Sequence, residues 1–121
     1  IASCLVGSEM CIRDSFYMKE ALSFIEQHYS EDISIEDVSS FCGLNRSYFS
    51  KVFRDTMGES PQGFLLHYRM ARAAQLLTES RLPISTISTM VSYPNQLHFS
   101  RAFKNVYGIS PRDYRAKHFA L

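Results

Sequence analysis

The sequence predicts an all-α protein of about seven helices, arranged as two helix-turn-helix subdomains joined by a long linker helix. Three observations predict it. Apolar residues recur at helical spacing and no alternating strand pattern competes with them. Capping residues and glycines punctuate the chain where helices should start and stop. The second half repeats the first at an offset of fifty residues.

Taken in order, the first fifteen residues read unlike the rest. Glu9-Met10-Cys11-Ile12-Arg13-Asp14-Ser15 back-translates as GAG ATG TGT ATA AGA GAC AG plus one base. That run resembles the transposase mosaic-end adapter of sequencing libraries, read through as coding sequence. Ile1 to Ser8 is mildly apolar but lacks the basic start and long apolar stretch of a secretory signal. Residues 1–15 are therefore expected to be non-native and are set aside from the fold.

Met18, Leu22, Ile25 and Tyr29 fall at helical spacing and define a first amphipathic helix from about Phe16 to Tyr29. Ser34 with Asp37 three residues on forms a capping-box start for a short second helix, which Gly43 stops. A third helix runs from Asn45 to Met57, with Phe49, Val52 and Phe53 on its inner face and Gly58 ending it. Ser60 and Pro61 supply an N-cap and a first-position proline for a long helix reaching about Thr78.

The pattern then returns. Asn45 matches Asn95, Phe49 Phe99, Ser50 Ser100, Phe53 Phe103, Gly58 Gly108, Ser60 Ser110 and Pro61 Pro111. Lys51 with Arg101, Arg54 with Lys104 and Phe64 with Tyr114 are conservative matches. Upstream the offset is forty-nine, pairing Ile35, Val38 and Ser39 with Ile84, Ile87 and Ser88, and Gly43 with Ser92, so the second turn is one residue longer. The predicted organisation is a first subdomain over residues 16–59, a linker helix over 60–79 and a second subdomain over 80–121.

Each unit has the helix-turn-helix layout. Ile35 and Val38, and again Ile84 and Ile87, anchor the first helix, while small Ser39 and Ser88 let the second cross closely. The paired phenylalanines are expected in the core, not as stacking platforms for bases. The opposite face carries Arg46, Ser47, Ser50, Lys51 and Arg54 in one copy, and Gln96, Leu97, Ser100, Arg101 and Lys104 in the other. Hydrogen-bonding side chains with few acids suit a major-groove reader.

Charge is unevenly placed. The chain's 121 residues hold thirteen Lys+Arg and twelve Asp+Glu, a net +1. Residues 16–60 hold four against eight, a balance of −4, and residues 61–121 hold eight against two, a balance of +6. A basic half favours an electrostatic partner such as nucleic acid. No run approaches eighteen apolar residues, so no membrane span is expected. Cys4, Cys11 and Cys42 are odd in number and contain no C-x-x-C pair, which argues against disulfides or a thiolate zinc site and for a reducing compartment. His28, His67, His98 and His118 lack ligand spacing. Neither G-x-S-x-G, G-x-G-x-x-G nor H-E-x-x-H occurs, so neither catalysis nor a cofactor is expected.

The stretches NRSYFSKVFRDTMGESP and NQLHFSRAFKNVYGISPRDYR, joined by FLLHYRMARAAQLL, resemble the DNA-binding domain of the AraC/XylS family of bacterial transcription regulators. The resemblance covers residues 16–118, and the Phe-x-x-x-Phe-Lys, Gly-x-Ser-Pro and Tyr-Arg elements of the second copy stand at the family's spacing. It implies two homeodomain-like subdomains on a rigid helix, each placing a recognition helix in one of two successive major grooves. Pro61 to Thr78 would span about 27 Å at 1.5 Å per residue, comparable with the roughly 34 Å between groove segments one turn apart.

The resemblance places base contacts at Arg46, Ser47, Ser50 and Lys51 in the first groove and at Gln96, Leu97, Ser100 and Arg101 in the second. Arg and Lys favour guanine, Gln favours adenine, and Leu97 offers a thymine methyl an apolar surface. Arg54 and Lys104, with the capped helix starts at Ser60 and Ser110, are phosphate candidates. His98 stands where the family often has tyrosine. Arg69 is expected in a structural ion pair and Cys42 in the core. The implied partner is double-stranded DNA in the cytoplasm, with RNA polymerase a further candidate. The family's usual effector-binding and dimerisation domain is absent from this sequence, which is expected to be part of a longer regulator. Ser92 departs from the family's glycine at the second turn, and Pro94 restricts the same turn, so the second recognition helix is expected to enter at an altered angle. The alternative function is a helical protein-interaction module that kept the fold but lost DNA binding.

Overall fold

The computed structural model describes residues 12–118, with side chains from Phe16 onward. Seven helices make up the described chain: α1 (Ile12–His28), α2 (Ile35–Phe41), α3 (Arg46–Met57), α4 (Pro61–Glu79), α5 (Ile84–Met90), α6 (Gln96–Tyr107) and α7 (Pro111–His118). No strand occurs among the described residues. They divide into two compact units. The first holds the described residues through Tyr29 together with Ile33–Leu65, and the second holds Ser30–Asp32 with the described residues from Leu66 on.

In the first unit, α1 begins at Ile12, four residues before the expected Phe16. No glycine or proline interrupts Ile12 to Ser15, and extending a formed helix adds one hydrogen bond per residue fixed. The expected adapter-derived origin of residues 1–15 falls mainly on residues outside the described chain. Met18, Ala21 and Ile25 on α1 pack with Ile35 and Val38 on α2 and Phe49, Val52 and Phe53 on α3. Ser34 accepts the Asp37 amide at 3.1 Å while Asp37 Oδ2 accepts the Ser34 amide at 2.9 Å, the reciprocal capping box. Buried Cys42 sits at the end of α2, its Sγ 3.6 Å from the Tyr17 carbonyl, and burial raises its thiol pKa ahead of a smaller push from Glu20.

The second unit builds its core from Met70, Ala73 and Leu77 on α4, Ile87 on α5, Val91, and Phe99 and Phe103 on α6. Its α5 starts at Pro83 without a side-chain cap. The C-terminal end of α4 is closed from a distance: Arg115 on α7 donates from Nε to the Leu77 carbonyl at 3.1 Å and from its terminal nitrogen to the Ser80 carbonyl at 3.3 Å. Those carbonyls are among the orphan acceptors of a helix end. Half-buried Arg69 donates to the Glu31 carbonyl at 2.8 Å. Burial lowers its pKa, opposed by Tyr93 and the Asp32 carboxylate. The Arg69 guanidinium thus bonds a backbone carbonyl, with the Asp32 carboxylate near enough to favour its charge.

The two turns share one hydrogen-bond frame. Gly43 donates to the Ser40 carbonyl at 3.0 Å and Leu44 to Ser39 at 2.9 Å; Ser92 donates to Thr89 at 3.0 Å and Tyr93 to Ser88 at 2.8 Å. Gly43 has φ 75° and Ser92 φ 68°, so serine occupies the left-handed conformation that glycine takes in the first copy. The extra residue, Pro94, enters after this frame is complete. The serines behind the turns bond differently. Ser39 Oγ donates back to the Glu36 carbonyl at 3.1 Å, whereas fully buried Ser88 Oγ donates forward to the Tyr93 carbonyl and ties the longer turn.

Ser92→Gly is therefore expected to raise the free energy of unfolding by about 1 kcal/mol. Gly43→Ala should lower it by about as much, since the added Cβ meets nothing within 4 Å and only backbone strain changes. Urea titration of both variants checks the pair of signs.

Candidate nucleic-acid interface

Each recognition helix is fixed at both ends by residues that the repeat preserves. Asn45 Oδ1 accepts the Tyr48 amide at 2.8 Å at the start of α3. Asn95 Oδ1 accepts the Leu97 and His98 amides at 2.9 and 3.2 Å at the start of α6. Gly58 and Gly108 close the two helices at φ 83° and 86°, donating to the Arg54 and Lys104 carbonyls at 2.9 and 2.7 Å. The expected helix start at Asn45 is thus its cap, with Arg46 the first helical residue.

Rotation about each axis is set by aromatic packing. Phe49, Phe53, Phe99 and Phe103 are all 0% exposed. Phe49 meets Phe53 at 5.6 Å between ring centroids, and Phe53 meets Phe64 edge-on at 5.5 Å. In the second copy Phe99 meets Phe103 at 5.9 Å and Phe103 meets Tyr114 edge-on at 5.3 Å. These rings are core, as the sequence suggests, and not platforms for bases.

At about 100° per residue, Ser47, Lys51 and Arg54 point away from the buried stripe of α3, and Leu97, Arg101 and Lys104 away from that of α6. Arg46 and Ser50, with Gln96 and Ser100, lie on the flanks. Burial follows this division only at the serines: Ser50 and Ser100 are half-buried and the other eight, Arg46 and Gln96 on the flanks included, are exposed, Leu97 to 57%. Leu97 thus sets an apolar side chain among polar neighbours on this outward face.

The flank of α3 opens onto a concave surface of about 410 Å³, lined by Arg46, Ser50, Lys51, Arg54, Asp55, Ser60, Pro61 and Gln62. It collects three cations and the start of α4, with Asp55 the one carboxylate in the lining. Ser60 Oγ accepts the Gly63 amide at 3.1 Å, and in the second unit Ser110 Oγ accepts the Asp113 amide at 3.1 Å. The serine side chains cap their helices, so phosphate candidacy rests on the amides around them and not on both hydroxyls. Arg46 lies 4.0 Å from Glu36 of α2, both well exposed. Such a pair is worth about 0 to 1 kcal/mol and leaves the guanidinium easily recruited.

Sequence reasoning missed Glu36, Asp55 and Gln62. Gln62 was legible as the first amide-bearing residue after Pro61. Asp55 was legible too, one turn after Lys51 on the same helix, whereas Glu36 of α2 became a neighbour of the site only through packing. Among the described residues, no group of three His, Cys, Asp or Glu side chains could hold a metal ion, and no helix is long and apolar enough to cross a membrane.

Residues 38–117 match the family described as helix-turn-helix domain. The chain belongs to the AraC/XylS family. Among its curated relatives, the lactose operon transcription activator of Staphylococcus xylosus is 36% identical over 104 residues, covering 86% of this chain and 37% of that protein. The C-terminal domain of AraT, a response regulator from Geobacillus stearothermophilus, superposes with a TM-score of 0.84 at 32% identity, covering 94% of this chain and 92% of that chain. The DNA-binding domain of AdpA, solved in complex with a target DNA, shares the fold with a TM-score of 0.78 at 23% identity, covering 82% and 89% of the two chains. The chain spans 36% to 38% of the length of the first curated AraC/XylS relatives it matches.

Gln96→Ala and Arg101→Ala are each expected to change the unfolding free energy by less than about 0.5 kcal/mol, because both side chains are exposed. Asn95→Ala should cost about 1 kcal/mol through loss of the cap. Denaturant unfolding separates the two classes, and a larger loss at Arg101 would assign it to packing.

Proposed function

We propose that this chain is the DNA-reading part of a cytoplasmic bacterial transcription regulator, without catalytic activity of its own. In this reading α3 and α6 enter two successive major grooves of one duplex. Arg46, Ser47, Ser50 and Lys51 read bases in the first, and Gln96, Leu97, Ser100 and Arg101 in the second. Arg54, Lys104 and the backbone amides near Ser60 and Ser110 hold phosphates and so set register. The observation that carries the reading is the pair of equally capped helices, each turned by two buried phenylalanines so that cations stand at matching outward places. The similar fold of AdpA's domain, solved on a target DNA, supports it. Effector binding, dimerisation and contact with RNA polymerase belong, in this proposal, to the longer regulator.

Selection of bound fragments from a random duplex library at fixed salt should return one preferred asymmetric sequence. Affinity for it should fall log-linearly as salt rises, because each neutralised phosphate releases counterions. A salt-independent affinity would instead favour the protein-interaction reading. Arg101→Ala should cost about 1 to 3 kcal/mol at one base pair of the selected site while other positions keep their preference. An equal loss on every sequence would make Arg101 a phosphate contact.

A further inference from the structure

The first unit carries a second surface that DNA reading does not use. Phe41, the last residue of α2, is 53% exposed, and its ring lies 4.8 Å from that of Phe24 on α1, which in turn meets the His28 ring at 4.5 Å. Phe24 and His28 are half-buried beside Phe41, so the three rings form one continuous, partly exposed patch on this unit. Glu36, which pairs with the recognition-helix residue Arg46, marks the DNA-side edge of α2. At about 100° per residue, Phe41 lies roughly 140° around the helix from it.

The edges of the patch are acidic. Glu20 stands one turn before Phe24 on the same face of α1 and acts electrostatically on Cys42, the neighbour of Phe41. Asp37 stands one turn before Phe41 on α2, where its Oδ2 also accepts the Ser34 amide of the capping box. The internal repeat provides a control for whether the motif needs Asp37 and Phe41. In α5 the positions of Glu36, Asp37 and Phe41 are Ser85, Thr86 and Met90, and the helix forms without an acid in its first turn. The fold therefore tolerates neutral residues where the first copy has carboxylates, and an aliphatic chain where it has an aromatic ring. A carboxylate rim also disfavours a nucleic-acid occupant and favours a cationic one.

We propose that Phe24, His28 and Phe41, rimmed by Glu20 and Asp37, form a docking surface for a basic protein segment that inserts one aliphatic or aromatic side chain. The apolar anchor packs on the Phe24 and Phe41 rings while flanking Lys or Arg side chains meet the two carboxylates. Large apolar anchors at the centre with charges at the rim are the usual division of labour in such interfaces.

The test needs no DNA, so its outcome is independent of the DNA-reading proposal. A displayed library of random twelve-residue peptides is selected on the intact chain, and affinities of the enriched peptides are measured against Phe41→Ser and Glu20→Lys. Enriched peptides should combine Lys or Arg with a Leu, Phe or Trp. They should bind at least tenfold more weakly to each variant, while circular dichroism reports unchanged helix content. Should Phe41→Ser unfold, Glu20→Lys alone must give the tenfold loss. The proposal is overturned if no peptide is enriched, if the enriched peptides are neutral or acidic, or if they bind the folded variants as well as the parent.

Discussion

The burial of two phenylalanines four residues apart is the constraint on which each half of this protein depends. Phe49 with Phe53, and Phe99 with Phe103, are fully inaccessible. Truncating one such ring to alanine costs about 3 to 5 kcal/mol, a large share of the roughly 5 to 15 kcal/mol that holds a small domain folded. That energy fixes which way each recognition helix faces. Rotating α3 or α6 by one residue would expose a ring and bury a cation, so the outward set is settled by the inward set. Function here is a by-product of core packing in the literal sense that the side chains left over are aimed by those that are not.

Much of this was legible in the sequence because the decisive devices are local. A cap needs only its own amides two or three residues on, as Asn45, Asn95, Ser34, Ser60 and Ser110 show. A left-handed stop needs only a residue that tolerates positive φ, which Gly43, Gly58 and Gly108 supply. The fifty-residue repeat then doubles every local signal. What stayed hidden joins residues far apart in the chain. Arg115 reaches the end of α4 across 35 and 38 positions, and Arg69 reaches Glu31 across 38. No periodicity announces such bonds, since their geometry exists only after the helices have packed. At the site itself, the type and angular place of each outward residue were readable, but that Ser50 and Ser100 are half-buried while Arg46 and Gln96 on the same flanks stay exposed emerged only from packing.

The second turn shows how a repeat can absorb a change without losing its frame. Replacing glycine by serine at a left-handed position introduces a steric cost between Cβ and the following carbonyl. The hydrogen bonds of the turn are nevertheless the same in both copies, and the inserted Pro94 lies outside them. Ser88 adds a bond to the Tyr93 carbonyl that Ser39 does not make to Leu44, turning a serine kept small for helix crossing into a tie across the longer loop. The strain at Ser92 is thus held by a buried neighbour instead of being relieved by a different turn, which keeps Asn95 in place to cap α6.

Where the two copies agree and differ bears on what kind of site they could read. Positions that build the helices, the Asn caps, the Phe pairs and the closing glycines, are identical. Two outward positions keep a cation in each copy, as Lys51 with Arg101 and Arg54 with Lys104. The first turn diverges: Arg46 and Ser47 in one copy face Gln96 and Leu97 in the other, exchanging a cation for an amide and a hydroxyl for an apolar chain. A phosphate is the same at every step of a duplex, so retained cations suit a contact without sequence content, whereas base edges differ and reward different chemistry. Two reading helices that share their charges and differ in their first turns would therefore bind two unlike half-sites. On the proposed reading, a single chain needs no palindrome, because the asymmetry of the operator is already written in the asymmetry between its two copies.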